Sequence, residues 1–204
     1  MTLANSLTFI RIFISPIFLL IYVQFPLFHI HPQVVPFILL FLLSVSELSD
    51  LFDGYFARKF HQVTDLGKIL DPMADSIARI SVFLTFTLEP VKIPLLLVFP
   101  FLYRDSVIST LRTICALKGF ALAARPSGKT KAVIQGIAAM SVVVLMIPFT
   151  MGLISNDTLT GSSTVLVGIA AIYTVYSGIE YLYSNRHYLK LLLSKKSSVS
   201  QSQT

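Results

Sequence analysis

Between Asp50 and Asp75 the chain reads D-L-F-D-G-Y-F-A-R-K-F-H-Q-V-T-D-L-G-K-I-L-D-P-M-A-D. Reduced to its chemistry this is D-x2-D-G-x2-A-R-x8-G-x3-D-x3-D. Asp50 and Asp53 stand at i and i+3, and Asp71 and Asp75 at i and i+4. Each pair therefore shares one face of a helix. Gly54 and Ala57 extend the first face, and Gly67, Ala74 and Ala78 the second. Small residues beside carboxylates let a ligand come close to the backbone.

Both carboxylate pairs lie at the ends of strongly apolar segments. Ionisable groups in such a setting are costly and mark function. Four converging carboxylates repel one another, so the pattern calls for positive charge. Hard oxygen donors favour Mg²⁺ or Mn²⁺. Two divalent ions would balance four aspartates and still attract a phosphate, which is the logic of two-metal phosphoryl transfer. The bland alternative, loop aspartates at helix ends, does not explain why face geometry and apolar setting coincide.

Working outward, the 204 residues are 54% hydrophobic and 13% charged, with a mean hydropathy of +0.77. Soluble domains average about 25% charged residues, so this composition predicts an all-α integral membrane protein. Six apolar stretches of about 20 residues suit a bilayer: Leu7–Val23, Val35–Phe60, Leu66–Leu88, Ile93–Leu117, Lys131–Leu153 and Ser163–Tyr183. The expectation is a catalytic domain of six transmembrane helices over 1–193, followed by a polar, disordered tail over 194–204. The segment Met1–Leu7 lacks a basic stretch, and no small-residue cleavage site follows it, so a cleavable signal is not expected. The single cysteine, Cys115, excludes an internal disulfide and reads as a packing residue.

Lys and Arg set the orientation. Arg58, Lys59, Lys68, Lys118, Arg125, Lys129, Lys131, Arg186, Lys190, Lys195 and Lys196 fall on one side, whereas Lys92 stands alone on the other. Both termini and the aspartates are thus expected to face the cytoplasm. The net charge of +6 is mostly this asymmetry, plus attraction to anionic lipid, and not a nucleic-acid surface. His29 and His31 resemble a metal-binding pair but lie on the opposite side, so they read as solvated loop residues.

Other polar residues have two readings each. Asn5 and Thr8 could cap the first helix or touch substrate, and Arg11 could snorkel to headgroups. Glu47 could support the aspartates or pair with an arginine, and Arg79 could neutralise a carboxylate. The third helix could be capped by Thr64 or Asp65, or by Asp71 with Pro72 at its first position. Arg104 and Arg112 are two helical turns apart on one face, and arginines in apolar surroundings need an anion. Asp105 could satisfy one of them, and Arg112, Lys129 and Lys131 could form a basic pocket for a phosphorylated substrate. Glu180 reads as the partner of a buried arginine, and Tyr181, Tyr183 and Tyr188 as an interfacial aromatic belt.

The Asp50–Asp75 pattern resembles the signature of the CDP-alcohol phosphatidyltransferase family at every position. N-S-L-T-F-I-R from Asn5, R-D-S-V-I-S-T-L-R from Arg104 and S-G-K-T-K-A from Ser127 are similar to stretches of the members that use glycerol 3-phosphate. Asp105 stands where those members carry Glu, and Ala132 where they carry Thr. The resemblance covers most of the chain, and its central signature is the specific part.

It implies a homodimer of six-helix subunits with a cytoplasm-facing polar cavity in the plasma or inner membrane. It implies that Asp50, Asp53, Asp71 and Asp75 ligate the two metals and that Asp75 is the general base. Asp50, Asp53, Gly54, Ala57, Arg58, Thr64 and Asp71 would contact the lipid donor, CDP-diacylglycerol. Arg104, Arg112, Lys129 and Lys131 would bind the phosphate of the acceptor, glycerol 3-phosphate. No Ser, Cys or His is placed as an activated nucleophile, so direct in-line transfer is expected. Two alternatives remain: another acceptor (inositol phosphate, serine, phosphatidylglycerol or choline), or a divalent-cation transporter, although transporters hold ions near the midplane.

Overall fold

The computed structural model describes residues 3–59, 65–117, 122 and 125–188, with side chains over 11–49, 73–117, 122 and 125–188. Among them are six long α-helices: α1 (Leu3–Gln24), α2 (Val35–Lys59), α3 (Asp65–Thr85), α4 (Phe99–Leu117), α5 (Pro126–Thr150) and α6 (Asn156–Ser184). Short 3₁₀ turns, Phe25–Phe28 and Leu95–Leu97, follow α1 and precede α4. Local chemistry sets several boundaries. Pro126 opens α5, where a missing N–H costs nothing. Ser155 caps α6 by accepting a bond from the Thr158 N–H at 3.2 Å, and Asp157 complements the helix dipole in the first turn. The α3 helix begins at Asp65, so Asp71 and Pro72 lie inside it rather than at its cap. Likewise α1 begins at Leu3, which places Asn5 and Thr8 within the helix.

The helices pack in two groups. α1 lies against α2 and α3, and α6 lies against α4 and α5. Contacts of α2 with α5 and of α3 with α4 join them. The joint core is aromatic and aliphatic, with Phe18, Leu39, Phe83, Phe86, Phe101 and Val142 buried. Phe83 stacks on Phe101 with ring centroids 4.5 Å apart, which ties α3 to α4. Buried alanines on α5 (Ala138, Ala139) and α6 (Ala170, Ala171) allow close backbone approach, the usual device where lipid removes the hydrophobic drive between helices. A smaller cluster of Ile108, Leu111, Cys115 and Tyr181 joins α4 to α6.

The outer surface is apolar. Phe13, Leu117, Ile169, Ile172 and Ile179 are all exposed. Exposed apolar surface on this scale marks a membrane-associated protein. The expectation of six transmembrane helices is nevertheless corrected. Among the described residues three helical stretches are long and apolar enough to cross a membrane: Arg11–Phe28, Pro126–Thr150 and Asn156–Ser184. The apolar part of α2 is the shorter Val35–Ser49. The reason lies in the polar residues themselves. α3 carries Asp65, Lys68, Asp71, Asp75 and Arg79, and α4 carries Arg104, Asp105 and Arg112. Stretches rich in such groups are not apolar spans, however helical they are.

Cys115 is fully buried and free, as a packing residue should be. His29 and His31 are exposed in the turn between α1 and α2, and His29 takes the left-handed conformation at φ 54°. The tail over 194–204 lies outside the described residues, as does Thr64.

Candidate active site

Among the described residues the charged contacts between helices form two clusters.

The first cluster lies between α1, α2, α3 and α5. Arg11, only 2% exposed, forms an ion pair with Asp75 through Nη1 and Oδ1. Arg79 lies 3.7 Å from Glu47. These four side chains, with Gln135 and Gly136, line a cavity of about 30 Å³. Gly136 allows close approach: a Cβ there would stand 3.3 Å from the Glu47 carboxylate, a tight contact. Gln135 is fixed by donating from Nε2 to Thr174 Oγ1 at 3.0 Å. Thr174 in turn donates to the Ala170 carbonyl at 2.7 Å.

The second cluster lies between α4, α5 and α6. Asp105 accepts from Lys131 Nζ at 2.7 Å and from Arg104 Nη1 at 2.9 Å. One buried carboxylate thus offsets two cations and keeps both in place. Arg104 also donates from Nη2 to Ser177 Oγ at 3.3 Å. Arg112 donates from Nε to the Tyr181 hydroxyl at 3.1 Å, and its guanidinium sits 5.4 Å from the centre of that ring. Glu180 holds Ser127 by a short hydrogen bond and lies 3.8 Å from Arg125.

The sequence-derived residues divide as follows. Asp75 is present in the first cluster. Asp50, Asp53, Gly54, Ala57 and Arg58 lie in α2 and Asp71 in α3, and the side chains of all six fall outside the described set. Arg104 and Lys131 are brought together by Asp105, Arg112 is bound one turn further along α6, and Lys129 is exposed on α5. Asp105 does satisfy Arg104, and Glu47 does pair with an arginine, Arg79.

Three readings change. Arg11 is not a snorkelling residue but a buried partner of Asp75. Tyr181 is 1% exposed and does not belong to an interfacial belt. Arg125, the partner of Glu180, is half-buried rather than buried. Arg11 carried a signal, as the last residue of N-S-L-T-F-I-R. Ser177 and Tyr181 carried none, because neither belongs to a recognisable motif.

The donor set suits hard divalent cations. α2 and α3 run unbroken through both aspartate pairs, so the i, i+3 and i, i+4 spacings act as helix-face spacings. Among the described residues no group of three His, Cys, Asp or Glu side chains gathers, since three of the four aspartates fall outside that set.

Comparison with known proteins places this geometry in context. Residues 1–176 match the family described as CDP-alcohol phosphatidyltransferase. The chain is 30% identical over 197 residues to a CDP-diacylglycerol–glycerol-3-phosphate 3-phosphatidyltransferase of Bacillus subtilis, covering 92% of this chain and 97% of the relative. It is 31% identical over 188 residues to the enzyme of the same name from Rickettsia bellii, covering 91% and 96%.

Proposed function

This chain belongs to the CDP-alcohol phosphatidyltransferase family, and we propose that it transfers the phosphatidyl group of CDP-diacylglycerol to sn-glycerol 3-phosphate, giving phosphatidylglycerophosphate and CMP. The observation that carries the reading is that two unlike clusters adjoin through α5, which gives Gln135 to the first and Lys131 to the second. Helices α2 and α3 bring carboxylates, and α4 and α5 bring cations held by Asp105.

The roles follow from the charges. Asp50, Asp53, Asp71 and Asp75 are the residues that would hold a pair of Mg²⁺ or Mn²⁺ ions, which when bound offset the charge of the donor diphosphate. Gly54, Ala57, Arg58 and Thr64 would contact the donor, with the Arg58 guanidinium suited to phosphate oxygens. Asp75 takes the proton of the acceptor hydroxyl. The hydroxyl oxygen attacks the phosphorus that carries diacylglycerol, and CMP leaves with the bridging oxygen. Arg11 orients Asp75 by gripping Oδ1. Arg104, Arg112, Lys129 and Lys131 draw in the acceptor's own phosphate.

The reading includes a single catalytic unit over 1–193, a homodimer, and a plasma or inner membrane location with the site and both termini on the cytoplasmic face. Charge asymmetry supports the orientation, because the basic residues gather in the connections after α2 and α4 and after α6. Removal of 194–204 should leave activity intact, and crosslinking in the membrane should trap a dimer.

The test gives purified protein labelled CDP-diacylglycerol and one acceptor at a time. Glycerol 3-phosphate should be consumed with release of CMP, while serine, inositol and plain glycerol should not react. A faster reaction with serine or phosphatidylglycerol would overturn the acceptor assignment and leave the family assignment standing. If inositol phosphate is fastest, the basic pocket is retained with a different ligand.

A further inference from the structure

Helix α6 has no catalytic motif, and its last turns lie just beyond residues 1–176 that match the family. Yet among the described residues Arg104, Arg112 and Arg125 are each held by it. Ser177 accepts from Arg104, and Tyr181 accepts from Arg112. Glu180 holds Ser127 and Arg125, and so the turn that starts α5. Gly178 makes room for this arrangement, since a Cβ there would come within 3.1 Å of Arg104 Cγ.

Arg112 differs from its neighbours. Arg11, Arg79, Arg104 and Arg125 each face a carboxylate. Among the described residues Arg112 has none, and its Nε partner is the neutral Tyr181 hydroxyl. A guanidinium presents five donors in a rigid fork. Tyr181 takes the Nε–H and lays its ring face by the guanidinium, so the Nη edge is left oriented for an anion. A flexible arginine would lose rotamer entropy on binding, and a braced one has already lost it.

We propose that the Ser177–Tyr181 turn of α6 is the brace that orients the acceptor-phosphate site, with Tyr181 the positioning residue for Arg112. The inference rests on the reading of Arg112 as a phosphate ligand. It predicts that Tyr181 tunes acceptor affinity without touching substrate.

The experiment measures initial rates of the full-length protein with glycerol 3-phosphate varied at saturating CDP-diacylglycerol, and then the reverse. Tyr181→Phe should raise the acceptor KM about three- to tenfold, the size of one modest hydrogen bond. The rate at saturating acceptor and the KM for CDP-diacylglycerol should change less than twofold. Arg112→Ala should raise the acceptor KM by about one to two decades. The double variant should be no worse than Arg112→Ala alone, because Tyr181 acts through Arg112. Tyr183→Phe, exposed on another face of α6, serves as control and should change nothing.

An unchanged acceptor KM in Tyr181→Phe, with Arg112→Ala impaired, overturns the brace and leaves the phosphate pocket standing. Additive effects in the double variant overturn it too, since Tyr181 would then act by itself. Equal rises in both KM values, or a lower melting temperature with unaltered KM, would show a packing role only and also overturn it. If Arg112→Ala leaves the acceptor KM unchanged, the pocket reading fails and the brace falls with it.

Discussion

Arg11 of α1 and Asp75 of α3 form an ion pair across 64 residues of sequence, with the guanidinium 2% exposed and the carboxylate side chain 32% exposed. The arginine is thus sealed inside while the aspartate reaches the cavity shared with Glu47 and Arg79. The pair fastens the first helix to the helix that carries half of the signature. It also fixes the one signature carboxylate to which both metal binding and proton transfer are assigned.

Arg11→Ala should therefore impair both stability and turnover. Breaking a buried pair costs about 3–5 kcal/mol, and the exposure of Asp75 favours the lower figure. About 3 kcal/mol corresponds to roughly 6–12 °C in melting temperature for a chain of this size. Thermal unfolding in detergent measures the first effect and CMP release the second. A variant with unaltered melting temperature would show that Arg11 does not hold Asp75 in solution.

Asp75→Asn keeps the size of the side chain and removes the carboxylate to which the role of base is assigned. Loss of a general base typically lowers rates by about 10²–10⁴. The protein should still bind CDP-diacylglycerol, because Asp50, Asp53 and Asp71 remain. Single-turnover CMP release together with donor binding separates the two steps. Near-normal turnover would place the base at another residue.

The contrast between these two residues shows what the sequence could convey. Asp75 was legible because a helical spacing repeats its chemistry at Asp71, and a short-range rule suffices to read it. Arg11 was legible as a charge but not as a partner, because its burial depends on α1 packing against α3, a long-range contact. The helices themselves were legible from apolar runs, and the expected stretches overlap α1 to α6 throughout. The number of membrane spans was not, because the expectation treated every long apolar-rich helix as a span. Lys68, Asp71, Asp75 and Arg79 interrupt the apolar sequence of α3, which keeps that helix from being an apolar span. Tyr181 fell to a related error: a tyrosine near a helix end resembles a belt residue until α4 is seen to cover it.

An all-carboxylate donor set predicts strict dependence on divalent cations. Activity should vanish in excess chelator and return with Mg²⁺ or Mn²⁺. Cation binding should also raise the melting temperature, by mass action on the folded state. Full activity in a chelated sample freed of divalent ions would exclude the two-metal mechanism.

Lys129 and Lys131 look equivalent in S-G-K-T-K-A, and the structure separates them. Lys131 is buried and donates to Asp105 at 2.7 Å beside Arg104, whereas Lys129 is exposed on the first turns of α5. Lys131→Ala leaves Asp105 with one cation where it had two, in a site shielded from water. The expected cost is about 3 kcal/mol, together with a weaker acceptor site, because Arg104 loses the carboxylate geometry that holds it. Lys129→Ala touches no buried partner and should stay within about 0.5 kcal/mol of the parent. Its effect should be confined to capture of the charged acceptor, as a rise in acceptor KM that shrinks when salt is added. Thermal unfolding and acceptor titrations at two ionic strengths measure all four quantities. If both variants lose stability equally, the Lys131–Asp105 pair is not what distinguishes the two lysines. If Lys131→Ala is as stable as the parent, Asp105 is satisfied by Arg104 alone and the two-cation arrangement is dispensable.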